Sequence, residues 1–328
     1  WLILNYILQI VFGLTLMLQH LIAQFLTTRR GSDVLVCGMK HHQAKEISVL
    51  KQRISTAVII SMVFTAVLFF FNADVILFFS AIVILYAGWE WGNLAGLQFS
   101  YTKFLYCSFM LAIIASLSFL MGADRSLPAF IDTGKSILEC LIPWWILAIY
   151  WINSYPRGTI FWRSPLVKGI IGLLILIPVW LSLSILISLD HGKLLIAGVI
   201  LIVALSDIGA YFVGIRFGKH KLSKNVSPNK TWEGFLGAII INVIFVTFLG
   251  LFLKTNLMNI MTLFSLVMIT VLSSVIGDLL ISMFKRHRGI KDSGNILPGH
   301  GGILDRIDGH TMAFPIFTLV FIYSNFQV

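Results

Sequence analysis

Residues 260–308 read IMTLFSLVMITVLSSVIGDLLISMFKRHRGIKDSGNILPGHGGILDRID, an apolar run followed directly by a polar segment. The run 260–284 is long enough to cross a bilayer, since a spanning helix needs about 20 apolar residues. From Asp278 to Asp308 the chain then holds four aspartates, two lysines, three arginines and two histidines, although only 12% of all residues are charged. This density of carboxylates, cations and glycines predicts a site for metal and phosphate at a membrane surface.

The rest of the chain has the composition of a polytopic membrane protein. Hydrophobic residues make up 58% of its 328 residues, whereas a soluble domain is about half apolar and about a quarter charged. Apolar runs lie near 1–25, 54–72, 74–92, 104–122, 137–153, 168–188, 194–214, 234–253, 260–284 and 310–325. Helices are expected because every backbone amide in lipid needs an internal partner. We therefore predict an all-α polytopic integral membrane protein with about nine to ten transmembrane helices.

The loops between these runs differ in charge. Alternate loops, with their flanking residues, hold 20 of the 24 lysines and arginines; the other four are Arg125, Lys135, Lys193 and Lys254. Cytoplasmic loops are enriched in basic residues, so the basic loops, 215–233 and 285–309 among them, are predicted to face the cytoplasm. The net charge of +10 then reflects loops near lipid headgroups, and no nucleic acid is expected as a partner.

Asp278 is the most informative residue of the run 260–284. Ser274, Asp278, Ser282 and Lys285 follow at helical spacing, which places them on one face. A carboxylate inside a spanning helix is costly and usually faces a cavity or a partner. The pattern favours a metal or substrate role for Asp278, and the alternative is a buried ion pair with a neighbouring base.

Two further aspartates stand where the last helix is expected to begin. Asp305 and Asp308 are three residues apart, so both can face one side of a helix. Capping at a helix N-terminus would explain one of them, but not both beside Asp278 and Asp292. Ligands with oxygen only suit magnesium or manganese rather than zinc.

Basic residues and glycines separate these aspartates. Lys285, Arg286, Arg288 and Lys291 come first; they are either phosphate ligands or the ordinary cytoplasmic anchor of a helix. The glycines that follow allow backbone amides to approach phosphate closely. His300 stands among them and can donate a hydrogen bond to phosphate or move a proton, unless it is only a structural turn residue.

A second polar element lies upstream, at residues 205–234. Asp207 interrupts an apolar run, and a basic loop follows Gly218. Pro228 disfavours helix at Ser227, so 227–230 is predicted to form an ordered turn. Glu233 would then begin the next helix, where an acidic residue is favoured in any case.

Residues 282–308 together resemble the signature of the phosphatidate cytidylyltransferases (CDP-diacylglycerol synthases). The matching positions are Ser282-x-Phe284-Lys285-Arg286, Lys291-Asp292-x-Gly294 and Leu297-Pro298-x-His300-Gly301-Gly302-Ile303-x-Asp305-Arg306-Ile307-Asp308. A pattern with about fifteen restricted positions is far more specific than a short motif. Residues 227–234, Ser-Pro-Asn-Lys-Thr-Trp-Glu-Gly, resemble a second element of the family.

The resemblance extends from about Val49 to the C-terminus. It implies a membrane-embedded cytidylyltransferase domain over 49–328, with a site formed by 205–234 and 274–308. Residues 1–48 lie outside the likeness and are predicted to form an extra N-terminal helix and a basic connector. The implied location is a bacterial plasma (inner) membrane, with the active site facing the cytoplasm.

The resemblance also implies the reaction CTP + phosphatidate → CDP-diacylglycerol + diphosphate, by metal-assisted in-line attack on the α-phosphorus of CTP. Asp278 and Asp305 would hold Mg²⁺ or Mn²⁺, and a second cation is left open. The predicted catalytic residues are Asp278, Asp305, Asp308, Lys285 and His300. The predicted substrate-binding residues are Asp207, Asn225, Ser227, Lys230, Glu233, Ser282, Arg286, Lys291, Asp292, Gly301, Gly302 and Arg306. CTP, phosphatidate and membrane lipid are the expected partners, and a homodimer is left open.

Two alternatives compete with this interpretation. Another membrane phosphotransferase, acting on CDP-alcohols or polyprenyl phosphate, would also use aspartates and magnesium, but the aspartate run of the CDP-alcohol class is not found here. A secondary transporter for an anionic solute would use Asp207 and Asp278 as coupling-ion sites. The polar motifs gather on one predicted face rather than at the midplane, which disfavours a transporter.

Overall fold

The computed structural model describes residues 62–121, 128–252, 257–296 and 301–324. The chain divides into two compact units. The larger comprises Phe70–Gly294 with Gly302–Val328, and the smaller comprises Trp1–Phe69 with Asn295–Gly301. In the smaller unit, residues 62–69 are helical. The helix and connector predicted for residues 1–48 lie outside the described residues.

The larger unit is almost entirely helical. Its α-helices are α1 (Ala73–Ala95), α2 (Ser100–Met121), α3 (Pro128–Cys140), α4 (Ile142–Ser154), α5 (Pro165–Ser188), α6 (Gly192–Phe217), α7 (Trp232–Phe252), α8 (Leu257–His287), α9 (Leu304–Ile307) and α10 (His310–Ser324). A 3₁₀ helix, Arg157–Trp162, precedes α5, and a hairpin of β1 (Lys221–Ser223) and β2 (Ser227–Thr231) joins α6 to α7.

Seven of the described helical stretches are long and apolar enough to cross a membrane, with α3 and α4 forming one of them. This confirms the prediction of an all-α membrane protein. The count of nine to ten stays a prediction. The run 1–25 lies outside the described residues, and the run 310–325 forms α10, which is only 15 residues long.

Local signals fix the ends of α1, which carries a residue of the site described below. The Asn72 side chain accepts a hydrogen bond from the Val75 amide and caps the N-terminus. At the other end Gly96 adopts a left-handed conformation with φ 94°. The amides of Gly96 and Leu97 both donate to the Gly92 carbonyl, and glycine is favoured at such a helix end because it has no Cβ. Glu90 therefore lies in the last two turns of α1.

Helices α6 and α7 approach each other through glycine. A Cβ at Gly209 of α6 would lie 2.5 Å from the Gly237 carbonyl oxygen of α7, so a larger residue would push the helices apart. Small residues are the usual means of close helix packing in membranes. The contact fixes the relative positions of Asp207 in α6 and the β-hairpin that leads into α7.

The turn predicted at 227–230 is wrong, because these residues form strand β2. Lys221 pairs with Thr231 and Ser223 with Ser227 in an antiparallel ladder, and the chain reverses at 224–226. Pro228 cannot donate a ladder hydrogen bond, but a two-stranded ribbon has an unpaired edge on which proline is tolerated.

Candidate active site

An ion pair joins the two polar segments predicted to form the site, 205–234 and 274–308. The Lys230 ammonium, near the end of β2, contacts Oδ2 of Asp278 in α8. The Ser282 hydroxyl donates a hydrogen bond of 3.0 Å to Oδ1 of Asp278, as their spacing of four in one helix allows. The side chains of Lys230 and Asp278 remain 28% and 25% exposed, so a ligand can reach the pair.

Asp308 lies beside Asp278 because Gly277 permits close packing. A Cβ at Gly277 would lie 2.7 Å from the Asp308 carbonyl oxygen. The Asp308 carboxylate accepts a hydrogen bond of 2.8 Å from the Gly309 amide. Burial, and then the nearby Asp278 carboxylate, raise the pKa of Asp308 well above its ordinary value, and these effects outweigh the attraction of Lys285. This raised pKa favours the neutral, protonated form of Asp308 beside the Asp278 carboxylate.

Asp207 adds a third carboxylate to this group. It lies within electrostatic range of Asp278, Lys230 and Arg306. Helix α6 continues for ten residues beyond it, to Phe217, which places Asp207 about 15 Å along the axis from that end. An acidic side chain at such depth needs charged partners or water, and the neighbouring Asp278–Lys230 pair supplies charge.

Asp305 belongs to a second, more buried group. Its Oδ1 pairs with the Lys285 ammonium at 2.7 Å, and the two side chains are only 6% and 8% exposed. Its Oδ2 accepts hydrogen bonds from the amides of Ser293 and Gly302, at 2.8 and 3.0 Å. Burial acts to raise the pKa of Asp305, but Lys285 and these amides outweigh it and hold the pKa below its ordinary value. Asp305 thus stays ionised and ties both ends of the glycine-rich segment to α8.

Glu90 completes this second group and was not assigned a site role from the sequence. It is buried in α1, and its Oε2 accepts hydrogen bonds from the Ser293 hydroxyl at 3.1 Å and the Leu304 amide at 2.8 Å. Its Oε1 accepts from the Ile303 amide at 3.2 Å. Glu90 therefore holds the same two chain segments as Asp305, near Ser293 and near residues 302–304.

The close approach to Glu90 depends on two glycines of the signature. A Cβ at Gly302 would lie 2.6 Å from Oε1 of Glu90, and a Cβ at Gly294 would also overlap with that oxygen. These glycines are required by packing against a carboxylate in α1. In the sequence, Glu90 is an acidic residue between two tryptophans at the end of an apolar run. A residue at the membrane interface would show the same pattern, so the sequence does not reveal the contacts of Glu90.

Arg286 connects α8 to the hairpin. Its Nε donates to the Val226 carbonyl at 3.2 Å, and its Nη1 donates to the Ile290 carbonyl at 3.1 Å. In the same turn, Asn225 donates from Nδ2 to the Tyr155 carbonyl at 3.2 Å. Arg286 and Asn225 therefore position the β1–β2 turn over the end of α8, and Ser227 follows as the first residue of β2.

Glu233 binds the chain that precedes the hairpin. It accepts hydrogen bonds from the amides of Lys219 and His220, at 3.0 and 3.2 Å, and its Oε1 lies 2.6 Å from Nδ1 of His220. These contacts brace the hairpin. The structure does not place Glu233 in contact with Asp278, so its predicted substrate contact stays a prediction.

The remaining predicted site residues are Lys291, Asp292, Arg306, Gly301 and His300. Lys291, Asp292 and Arg306 are exposed. Gly301 adopts a positive φ of 81°, a conformation that glycine accepts without strain. His300 lies outside the described residues, so its predicted role stays a prediction.

The predicted metal ligands are occupied by other partners. Within the part of the chain that the structure describes, no three His, Cys, Asp or Glu side chains form a ready metal site. Both carboxylate oxygens of Asp278 and of Asp305 bind lysine, serine or amide groups instead. Asp278, Asp207 and Asp308 lie in electrostatic range of one another and offer only oxygen ligands, the kind that magnesium prefers. Metal binding would require Lys230 or Lys285 to release its aspartate.

Comparisons with known proteins agree on one family. The model of the cytidylyltransferase family matches residues 51–324. A relative from Pseudomonas aeruginosa named phosphatidate cytidylyltransferase is 37% identical over 268 residues, which cover 82% of this chain and 95% of the relative. One from Haemophilus influenzae with the same name is 33% identical over 293 residues, covering 84% of this chain and 99% of the relative. The chain therefore belongs to the cytidylyltransferase family.

Proposed function

We propose that this chain transfers the cytidylyl group of CTP to phosphatidate and so forms CDP-diacylglycerol and diphosphate. The relatives matched over nearly their whole length are named for this activity. Within the structure, the observation that supports it is the ion pair between Lys230 and Asp278. It unites the two elements of the family resemblance, which lie far apart in sequence, at one accessible point.

The reaction needs no covalent intermediate with the protein. An oxygen of the phosphatidate phosphate attacks the α-phosphorus of CTP, and the bond from that phosphorus to the departing diphosphate breaks. Both substrates are polyanions, so the chain must bring two negative groups together. Lys230 and Lys285, which contact aspartates, and Arg286 at the end of α8 would supply that positive charge. In a partly buried setting this charge acts more strongly than in water.

The two lysine–aspartate pairs suggest how the site accepts its substrates. In the free protein Lys230 and Lys285 neutralise Asp278 and Asp305. Nucleotide phosphates attract the same lysines and release carboxylate oxygens. The freed oxygens of Asp278, with Asp207 and Asp308 in electrostatic range, would hold Mg²⁺ or Mn²⁺. Asp305 would join them as the second predicted ligand once Lys285 turns to a phosphate, and a second cation remains open. When bound, the cation would neutralise phosphate charge and polarise the α-phosphoryl group.

We place the protein in a bacterial inner membrane with the site facing the cytoplasm. The matched relatives are bacterial, and 20 of the 24 basic residues fall in the alternate loops predicted from the sequence to face the cytoplasm, all but Arg125, Lys135, Lys193 and Lys254. Such loops remain in the cytoplasm during insertion. CTP would then reach the site from water while the acyl chains of phosphatidate stay in the bilayer.

Diphosphate release by the purified, detergent-solubilised protein tests the reaction. With CTP, phosphatidate and Mg²⁺, release is expected to require all three and to stop with EDTA. Asp278→Asn should lower kcat by at least about 100-fold, as expected for loss of a central electrostatic contact. Asp132→Asn, at an exposed aspartate of α3, is the matched control and should behave like the wild type. Release that does not need phosphatidate would contradict the proposal.

Metal binding is tested separately from turnover. Titration of Mn²⁺, followed by electron paramagnetic resonance in the presence of CTP, should show weaker binding to Asp278→Asn than to Asp132→Asn. Equal binding by both variants would refute the role of Asp278 as a ligand, whatever the effect on activity.

A further inference from the structure

Four successive basic residues at the end of α8 point to different parts of the molecule. Lys285 binds Asp305 and Arg286 binds the hairpin turn, so both belong to the candidate active site. The His287 ring instead packs edge-on against Trp162, with centroids 4.7 Å apart, and Arg288 lies in electrostatic range of Lys168. His287 and Arg288 fall in the four-residue gap of the signature and face the 3₁₀ helix and the start of α5.

At that place several cations lie together, and among the described residues no carboxylate is one of the charged groups in range of Lys168 or His287. Two arginines, Arg163 and Arg288, repel the Lys168 ammonium electrostatically. The same two arginines and Lys168 also lie in electrostatic range of His287. Lys168 is only 7% exposed, and no hydrogen bond or ion pair of its ammonium occurs among the described residues. A buried lysine is normally paired, because removing its charge from water is costly. This one instead lies beside two arginines, and an anion bound there would offset their mutual repulsion.

Further donors lie at the same place. Trp162 is fully buried, and its Nε1 has no hydrogen-bond acceptor within the described part of the chain. Helix α5 begins directly afterwards, and its N-cap Ser164 makes no side-chain capping bond. Pro165 has no amide N–H and the Lys168 amide donates to the Ser164 carbonyl, which leaves the Leu166 and Val167 amides without an acceptor in the helix. Together with the helix dipole these amides favour an anion. Lys168 stands in this first turn.

Apolar residues identify the kind of anion. Ile160, Phe161 and Leu166 flank the cations and are 81%, 69% and 71% exposed. Large apolar side chains beside a basic cluster suit the membrane interface, where they enter the acyl region while cations bind headgroups. We propose that Lys168, Arg163, Arg288 and His287 bind the phosphate headgroup of an anionic phospholipid at a site separate from the catalytic aspartates.

Lipid binding to the intact, detergent-purified protein tests this site without CTP or turnover, so its outcome is independent of the proposed function. Native mass spectrometry with phosphatidylglycerol should show one preferred lipid, and phosphatidylcholine should bind weakly. Each basic residue near an anionic lipid surface contributes about fivefold, so Arg163→Gln with Arg288→Gln should weaken binding about thirtyfold. Arg216→Gln, which removes an exposed arginine from the end of α6, should change it less than about twofold.

Each outcome decides for or against the proposal. Lys168→Met, which keeps the length of the buried side chain, should also weaken binding while leaving thermal unfolding close to the wild type. Wild-type affinity in the double variant would overturn the proposal. Equal binding of phosphatidylcholine, or displacement of the lipid by millimolar inorganic phosphate, would likewise overturn it, because the ligand would then not be an anionic lipid.

Discussion

Replacing Glu90 by glutamine tests whether a carboxylate in α1 positions the catalytic segment. A glutamine can accept from the Ser293 hydroxyl and the Leu304 amide, but its amide nitrogen then faces the Ile303 amide, which loses its acceptor. Hydrogen bonds to a charged group contribute about 1.5–3 kcal/mol and neutral ones about 0.5–1.5 kcal/mol, and an unsatisfied buried donor costs about 1–3 kcal/mol. Together, the weaker hydrogen bonds and the unsatisfied Ile303 amide cost about 3 kcal/mol. A neutral glutamine costs less to bury than a carboxylate, which offsets part of this loss.

We therefore expect a net loss of about 2 kcal/mol, which corresponds to a factor of about 30. The exchange rates of the Ile303 and Leu304 amides should rise by that factor, since local opening governs exchange, and kcat/KM should fall by a similar factor. Glu139→Gln is the control, because Glu139 is a partly exposed carboxylate paired with Lys135. Wild-type kcat/KM together with unchanged exchange at Ile303 and Leu304 in the Glu90 variant would refute a positioning role.

Three further substitutions test the same site. Lys230→Met should lower kcat by at least about 100-fold with little change in thermal unfolding, because the lysine lies at an accessible ion pair. A fraction of folded protein that falls as much as kcat would indicate a structural role instead. Gly302→Ala should impair turnover by displacing Glu90, whereas Gly198→Ala, where a Cβ meets nothing within 4 Å, should be neutral; equal activities would contradict the packing argument. Asp305→Asn should destabilise the fold by about 3–5 kcal/mol by leaving buried Lys285 without its partner. The added change Lys285→Met should restore part of the thermal midpoint, and no recovery would argue against the pair as the cause.

The parts of the site that the sequence predicts are those governed by local spacing. Asp278 and Ser282 are four residues apart on one helix and do form a hydrogen bond. The apolar runs predict the spanning helices because lipid requires every amide to be paired within its segment. The turn predicted at 227–230 lies instead at 224–226. The restriction on the residue before Pro228 disfavours helix but does not distinguish a turn from an edge strand.

Tertiary partners could not be predicted in the same way. The spacing of Asp278 and Asp305 does not show that each binds a lysine. Asp278 binds Lys230, 48 residues before it, and Asp305 binds Lys285, 20 residues before it. The contact of Glu90 with Ile303 spans 213 residues, and its sequence context is that of an interfacial acid. Such contacts depend on how α1 packs beside the C-terminal segments, which hydrophobic periodicity does not determine.

The distance along the chain between Glu90 and its partners has a consequence for how the protein is made. Helix α1 leaves the ribosome long before Ile303 and Leu304 exist, and 213 residues separate the first of these from Glu90. At about 5–20 residues per second, the Glu90 carboxylate waits roughly 10–40 s without the amides that satisfy it. During that interval it must stay hydrated or bind a temporary partner at the membrane surface. A chain released early, before residue 303, would therefore insert its helices but lack the bonds that close its own active site.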